Sequence, residues 1–210
     1  MRLLLIRHGE SSGNAEARLQ GHLDYPLSER GRQESERLAE RLASDRIDVL
    51  LTSPLLRARE TADVIARRID LPLSEHDVLK ERDVGEAAGL TRQEIIARFP
   101  DFVQARTEGR TDLNIPGWES DAAFGQRVEQ ALKLLTNGHD AKTVAAVTHG
   151  GMVAQICRVV LRMPIVRPGP FMTTNTGITV LDVQDGEFDT FRMPRIRLVT
   201  LNDICHLDGL

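Results

Sequence analysis

The chain has 210 residues, 41% hydrophobic and 28% charged, which fits one globular domain over residues 1–210 with a sizeable core and excludes a disordered chain. Its 27 basic and 31 acidic residues leave a net charge of −4, which argues against a general nucleic-acid or membrane-surface binder. No apolar run approaches the roughly 18 residues of a membrane span, and Leu3-Leu4-Leu5-Ile6 is closed at once by Arg7, His8 and Glu10, too short for a secretory signal, so a soluble cytoplasmic protein is expected.

Leu3 to Ile6 reads as a buried parallel strand, a short apolar run ended by a glycine. Ser28 to Arg46 has helical periodicity, with Leu38 and Leu42 on one face and Gly31 weakening the first turn. Asp48 to Thr52 is a second strand. Ser53 is expected to cap the next helix, with Pro54 at its first position and a stripe of Ala58, Thr61, Ala62, Ile65 and Ile69. Thr91-Arg92-Gln93-Glu94 is a capping box opening a short helix that stops before Pro100. A longer helix from about Ser120 carries Phe124, Val128, Ala131, Leu132 and Leu135 at helical spacing and ends at Asn137-Gly138. Thr143 to Thr148 is a third strand and Gly151 to Arg162 a helix. Thr176 to Val183, Phe188 to Met193 and Arg197 to Leu201 read as strands, the first two joined by an Asp185-Gly186 turn. Alternating strands and helices, with no repeat or linker, predict an α/β fold: a mostly parallel central sheet with helices on both faces. Cys157 and Cys205 give neither a disulfide framework nor a metal-binding spacing.

Open α/β sheets bind ligands beyond the carboxyl ends of their strands. There the first strand delivers Arg7-His8-Gly9-Glu10, the second delivers Arg57 in the first turn of a helix, and the third delivers His149-Gly150-Gly151. Only Lys80, Lys133 and Lys142 are lysines, so an arginine has to be argued by position. Two histidines and two arginines converging on one rim, with helix N-termini beside them, suit an anion. Phosphate is the natural candidate, because guanidinium forks match its oxygens and a neutral imidazole can attack phosphorus. Cationic surroundings depress a histidine's pKa and keep it unprotonated, and Gly9 and Gly150 are expected to let backbone approach the ligand.

Arg7-His8-Gly9-Glu10 with Asn14, the run from Gly21 to Gly31, Ser53 to Ala62, Glu81-Arg82-Asp83-Val84-Gly85 with Gly89, and Thr148-His149-Gly150 resemble, in order and over most of the chain, the motifs of the histidine phosphatase superfamily, the phosphoglycerate-mutase-like fold. The resemblance implies that fold's three-layer sandwich and a phosphorylated nucleophile at His8. It implies that Arg7, Asn14, Arg57 and His149 bind the phosphoryl group, with His149 also stabilising charge as the bond forms, and that Glu81 is the proton donor. A leaving alkoxide needs a proton and the hydrolytic water must lose one, so one carboxyl can serve both steps. No metal and no cofactor is implied. The partner is a small phosphate ester, neither nucleic acid nor membrane, and the oligomeric state stays open, a homodimer included.

Other readings stand beside these. His8 and His149 as a zinc pair lack a third ligand at metal spacing. His22, His76, His139 and His206 read as surface or structural, and Arg59, Arg67 and Arg68 as solvated. Glu81 lies in the charged run from Lys80 to Asp83, which without the family spacing reads as a polar loop. Glu10 orients its loop on the bland reading, and Trp118 either lines a pocket or fills core. Three activities share the site: phosphomonoester hydrolysis, a cofactor-dependent phosphoglycerate mutase, and a catalytically idle phospho-ligand binder. Mutases of the resembled family carry an arginine-rich insertion after the acid segment, whereas Arg92, Arg98, Arg106 and Arg110 are scattered here. Pro116-Gly117-Trp118-Glu119-Ser120 is similar to the phosphatase branch, with Trp118 where that branch usually has glycine. The hydrolase is the favoured expectation.

Overall fold

The computed structural model describes residues 1–110, 115–140, 142–163, 171–184 and 195–210. In chain order the elements are β1 (Arg2–Arg7), α1 (Ser12–Ala15), α2 (Glu29–Leu42), β2 (Val49–Thr52), α3 (Leu56–Ile69), β3 (Leu73–Glu75), α4 (Arg92–Arg98), α5 (Pro100–Thr107), α6 (Asp121–Thr136), β4 (Thr143–Thr148), α7 (Gly150–Val160), β5 (Ile178–Gln184) and β6 (Arg195–Asp203). The strands form a sheet in the order β3-β2-β4-β1-β5-β6. The first four run parallel, β5 runs antiparallel to β1 and β6 antiparallel to β5, so the sheet is mostly parallel, as expected.

Side chains alternate across a strand, and here both sets are apolar because both faces are covered. Leu3, Leu5, Val144 and Ala146 pack under α6 and α7 through Phe124, Val128, Leu135, Met152, Val153 and Ile156. Leu4, Ile6, Ala145 and Val147 pack under α2 and α3 through Leu38, Leu42, Ala58, Ala62 and Ile65. Each such Leu or Ile side chain contributes about 1.5–3 kcal/mol by leaving water. The parallel register of β1 with β4 aligns Arg7 with Thr148, and β4 aligns Val147 with Thr52 of β2. The residues following all three strands therefore emerge at one rim.

Several local expectations are corrected. Helix α2 ends at Leu42, four residues before Arg46, because Leu42 is its last buried apolar side chain and Ala43 to Arg46 turn away. Gly31 is required in that helix: a Cβ there would run into the backbone of Glu10. Helix α3 is not capped by Ser53. Its N-cap is Leu55, with no side-chain cap of its own, and the Leu56 amide donates instead to Asp24 Oδ1 at 3.0 Å from a distant loop. The capping box at Thr91 forms in both halves. Helices α1 and α5 and the three-residue β3 were not anticipated; each is too short to show a period. The strand expected at Phe188 to Met193 and its Asp185-Gly186 turn lie outside the described residues. No helix among the described residues is long and apolar enough to cross a membrane.

Leu38 is fully buried between α2 and the sheet. Leu38→Ala is expected to lower unfolding free energy by about 2–5 kcal/mol, read from the urea midpoint.

Candidate active site

The rim contains a tight cluster of two imidazoles and two guanidinium groups. His8 is 3% exposed and follows β1 directly. Its Nδ1 lies 2.7 Å from the Gly9 carbonyl, which can only accept, so Nδ1 carries the proton. Nε2 is therefore left with its lone pair, and Arg57 Nε donates to it at 3.3 Å. The His8 carbonyl accepts from Asn175 Nδ2 at 2.9 Å, and its amide donates to Thr148. Gly9 serves packing rather than ligand approach, which corrects the expectation. Its Cβ would meet Gly31 O at 2.6 Å and Ser35 Oγ at 2.8 Å, and its amide donates to Thr61 Oγ1.

Arg57 stands in the first turn of α3 and is 1% exposed. Nη1 donates to Leu23 O at 2.9 Å and Nη2 to Gly21 O at 2.8 Å. Burial, opposed in part by Glu81 and Asp24, brings its pKa down to about 10, still a cation at neutral pH. Arg7 is partly buried. Its Nη1 donates to Thr173 O at 2.5 Å, while its Nε is buried and has no partner among the described residues. Gly150 leaves room for Thr173, whose Oγ1 a Cβ there would meet at 2.9 Å.

His149 is the N-cap of α7 and is fully buried. Its ring lies beside His8, centroids 5.2 Å apart. Nε2 is 2.8 Å from Ser53 Oγ, and Nδ1 is buried without a partner among the described residues. Burial first, then the charge of Arg57 and Arg7, holds His8 well below the ordinary imidazole value, and burial with Arg57 does the same for His149. Both rings are neutral at physiological pH.

Glu81 comes from the loop before α4 and meets the N-terminus of α7: Oε2 accepts from the Gly151 amide at 2.9 Å and Oε1 from the Arg82 amide at 2.8 Å. Glycine is needed at 151, where a Cβ would sit on the Glu81 carboxylate. The segment is clamped from behind. Arg127 donates to the Lys80 carbonyl at 2.5 Å and the Glu81 carbonyl at 3.0 Å and pairs with Glu119 through both Nε and Nη2. His22 Nε2 lies 2.7 Å from the same Glu81 carbonyl, a structural role. Asn14, in α1, turns its Oδ1 towards the Ser11 amide at 3.2 Å and Asn175 Nδ2 at 3.4 Å.

Arg7, His8, Asn14, Arg57 and Glu81 all line one cleft of about 450 Å³, together with Arg18, Arg82 and Arg158. His149 is fully buried and is not among the lining residues. Glu81 is the one carboxylate among the described lining residues. Trp118 does both things asked of it: it lines the cleft and packs on Phe102, centroids 5.1 Å apart. Glu10 orients its loop, accepting from Ser28 Oγ at 2.7 Å. A lone pair approached by a guanidinium donor, with further arginines and a carboxylate lining the same cleft, is equipped to bind a tetrahedral oxyanion.

Residues 3–194 match the family model of the histidine phosphatase superfamily, branch 1. The chain belongs to this superfamily. It is 30% identical over 207 residues to phosphoserine phosphatase 1 of Hydrogenobacter thermophilus, covering 99% of this chain and 94% of that relative. It is 39% identical over 158 residues to phosphoglycerate mutase-like protein 4 of Arabidopsis thaliana, covering 73% of this chain and 68% of that relative. Among solved structures, a mycobacterial glucosyl-3-phosphoglycerate phosphatase superposes with a TM-score of 0.80 at 28% identity, covering 96% of this chain and 98% of the other. The protein is accordingly an enzyme of the histidine phosphatase class with the fold expected from its sequence.

Ser53 as a partner of His149, Asn175 behind His8 and Arg127 behind Glu81 were not expected from the sequence. Arg127 carried a usable signal: it falls on the apolar stripe of α6, three residues after Phe124 and beside Val128, where a solvated arginine has no business. The carbonyls of Gly21 and Leu23 carried none, since any residue supplies one.

Both lowered imidazole pKa values mean that unfolding takes up protons near pH 6.5, the ordinary value, which the folded protein refuses. Stability therefore rises with pH through that region and falls on acidification. Urea unfolding at pH 7.5 and 5.5 is expected to show this loss, and a His8→Asn/His149→Asn double variant is expected to lose less.

Proposed function

We propose that the enzyme hydrolyses small phosphomonoesters through a covalent phosphohistidine on His8, without a metal. The observation that carries this reading is the polarity of His8: Nδ1 is committed to the Gly9 carbonyl, and Nε2 offers a lone pair inside a cationic cleft. Arg7, Arg57, Asn14 and His149 bind the phosphoryl oxygens. The buried, unpartnered Arg7 Nε and His149 Nδ1 support this, because an oxyanion would satisfy both.

His8 Nε2 attacks phosphorus, the P–O ester bond breaks, and Glu81 gives its proton to the leaving oxygen. Water then attacks phosphorus as Glu81 takes a proton from it. The P–N bond breaks, inorganic phosphate leaves and His8 returns neutral. Charge on the phosphoryl oxygens is stabilised throughout by guanidinium groups already in place, which is where most of the catalysis of phosphoryl transfer lies.

The cleft volume suits a metabolite, and the named substrates of the relatives, phosphoserine and glucosyl-3-phosphoglycerate, belong to that class. Cys157 and Cys205 are free, in keeping with action in the reducing cytoplasm. A mutase reading draws on the likeness to the mutase-like plant protein. Against it, none of Arg92, Arg98, Arg106 and Arg110 lines the cleft; Arg98 pairs with Glu86 and Arg110 with Glu108.

A panel of phosphorylated metabolites tests this reading by released phosphate, and a phosphoglycerate with bisphosphoglycerate primer tests the mutase by isomer exchange. His8→Ala is expected to leave the fold intact and turnover below a few per cent. Glu81→Gln is expected to slow alkyl esters roughly 10²–10⁴-fold and p-nitrophenyl phosphate far less, since that leaving group departs without a proton; equal slowing of both would remove Glu81 from the role.

A further inference from the structure

Ser53 stands where a helix cap is expected and does not cap. We propose that Ser53 is a positioning residue that fixes the tautomer of His149, so that this imidazole is held as a hydrogen-bond donor while His8 is held as an attacking base. What the donor is for rests on the phosphatase reading above; the tautomer itself does not.

The argument is a count of protons. Ser53 is fully buried, with its Oγ 3.3 Å from the Leu55 amide and 2.8 Å from His149 Nε2. The amide can only donate, so it occupies a lone pair of the hydroxyl. A second lone pair remains, but a buried hydroxyl proton needs an acceptor, and Nε2 is the one within hydrogen-bond reach among the described residues, which uses the Nε2 lone pair. A neutral imidazole with a bare Nε2 carries its hydrogen on Nδ1, the buried atom without a partner among the described residues. The ring lies against His8, centroids 5.2 Å apart, and on the phosphatase reading this N–H is the donor offered to the transferred group.

The two imidazoles thus share a tautomer and present opposite nitrogens. The Gly9 carbonyl accepts from Nδ1 of His8 and leaves the lone pair on Nε2, where Arg57 Nε approaches at 3.3 Å. The Ser53 hydroxyl takes the Nε2 lone pair of His149 and leaves Nδ1–H free. Without the hydroxyl, the competing tautomer of His149 would turn a lone pair on the developing oxyanion, which repels rather than stabilises it.

The test is a long-range ¹H–¹⁵N spectrum of histidine-labelled enzyme at pH 7.5, with His149 assigned by its loss in His149→Gln. The wild type is expected to show His149 protonated at Nδ1 alone. Ser53→Ala is expected to give a mixture of tautomers and a kcat for p-nitrophenyl phosphate roughly 10–100-fold lower, with KM changed less than about threefold. Ser53→Thr, which keeps the hydroxyl, is expected to restore the tautomer and most of the rate. Protonation at Nε2 in the wild type overturns the proposal, as does a Ser53→Ala enzyme with unchanged tautomer and kcat, even one that melts earlier. Should Ser53→Ala fail to fold, the wild-type spectrum decides by itself. A wild type that turns over no phosphate ester strikes down the phosphatase reading, while the spectrum still judges the tautomer.

Discussion

The site depends on one contact, between the Arg57 guanidinium and the imidazole of His8. Arg57 Nε reaches His8 Nε2 at 3.3 Å and settles two matters together. A guanidinium can only donate, so its approach requires a lone pair on that nitrogen. Burial, and after it the charge of Arg57, holds the proton off the ring. The proposed nucleophile and the charge proposed to bind the anion are thereby held by the same pair of side chains.

Holding such a pair is costly, because removing a cation from water costs several kcal/mol even after relaxation. The fold offsets this locally. The loop after α1 turns back so that the Gly21 and Leu23 carbonyls accept from both terminal nitrogens of Arg57. Gly21 adopts φ +51°, and a Cβ there would meet Val84 Cγ2 at 2.6 Å, so the turn demands a glycine. Asp24 of the same loop then caps α3. The helix that carries the buried cation and the loop that solvates it are locked together, with rigidity built in before any ligand arrives.

Much of this was legible in the sequence. Strand ends and motif order identified Arg7, His8, Arg57 and His149, and the parallel sheet brings them together because β1, β2 and β4 finish at one rim. The period of α6 and the buried alternation of β1 and β4 marked the core on both faces. Tertiary contacts without a local signature were not legible: Asp24 capping a helix 32 residues on, Asn175 reaching back to His8, and Ser53 leaving its expected cap for a histidine 96 residues away. In each case a polar side chain serves a distant partner, while propensity describes only near ones. Gly9 shows the reverse error, a glycine read as making room for ligand that in fact makes room for α2.

The most direct test is to catch the bond that His8 is proposed to form. Enzyme mixed with an excess of aryl phosphate and quenched in alkali within milliseconds, where phosphohistidine survives, can be digested and mapped by mass spectrometry. The account predicts one phosphoryl group, acid-labile, on the peptide containing His8 and attached at Nε2. Turnover with no phosphorylated peptide, or with the phosphoryl group on any other residue, would contradict it.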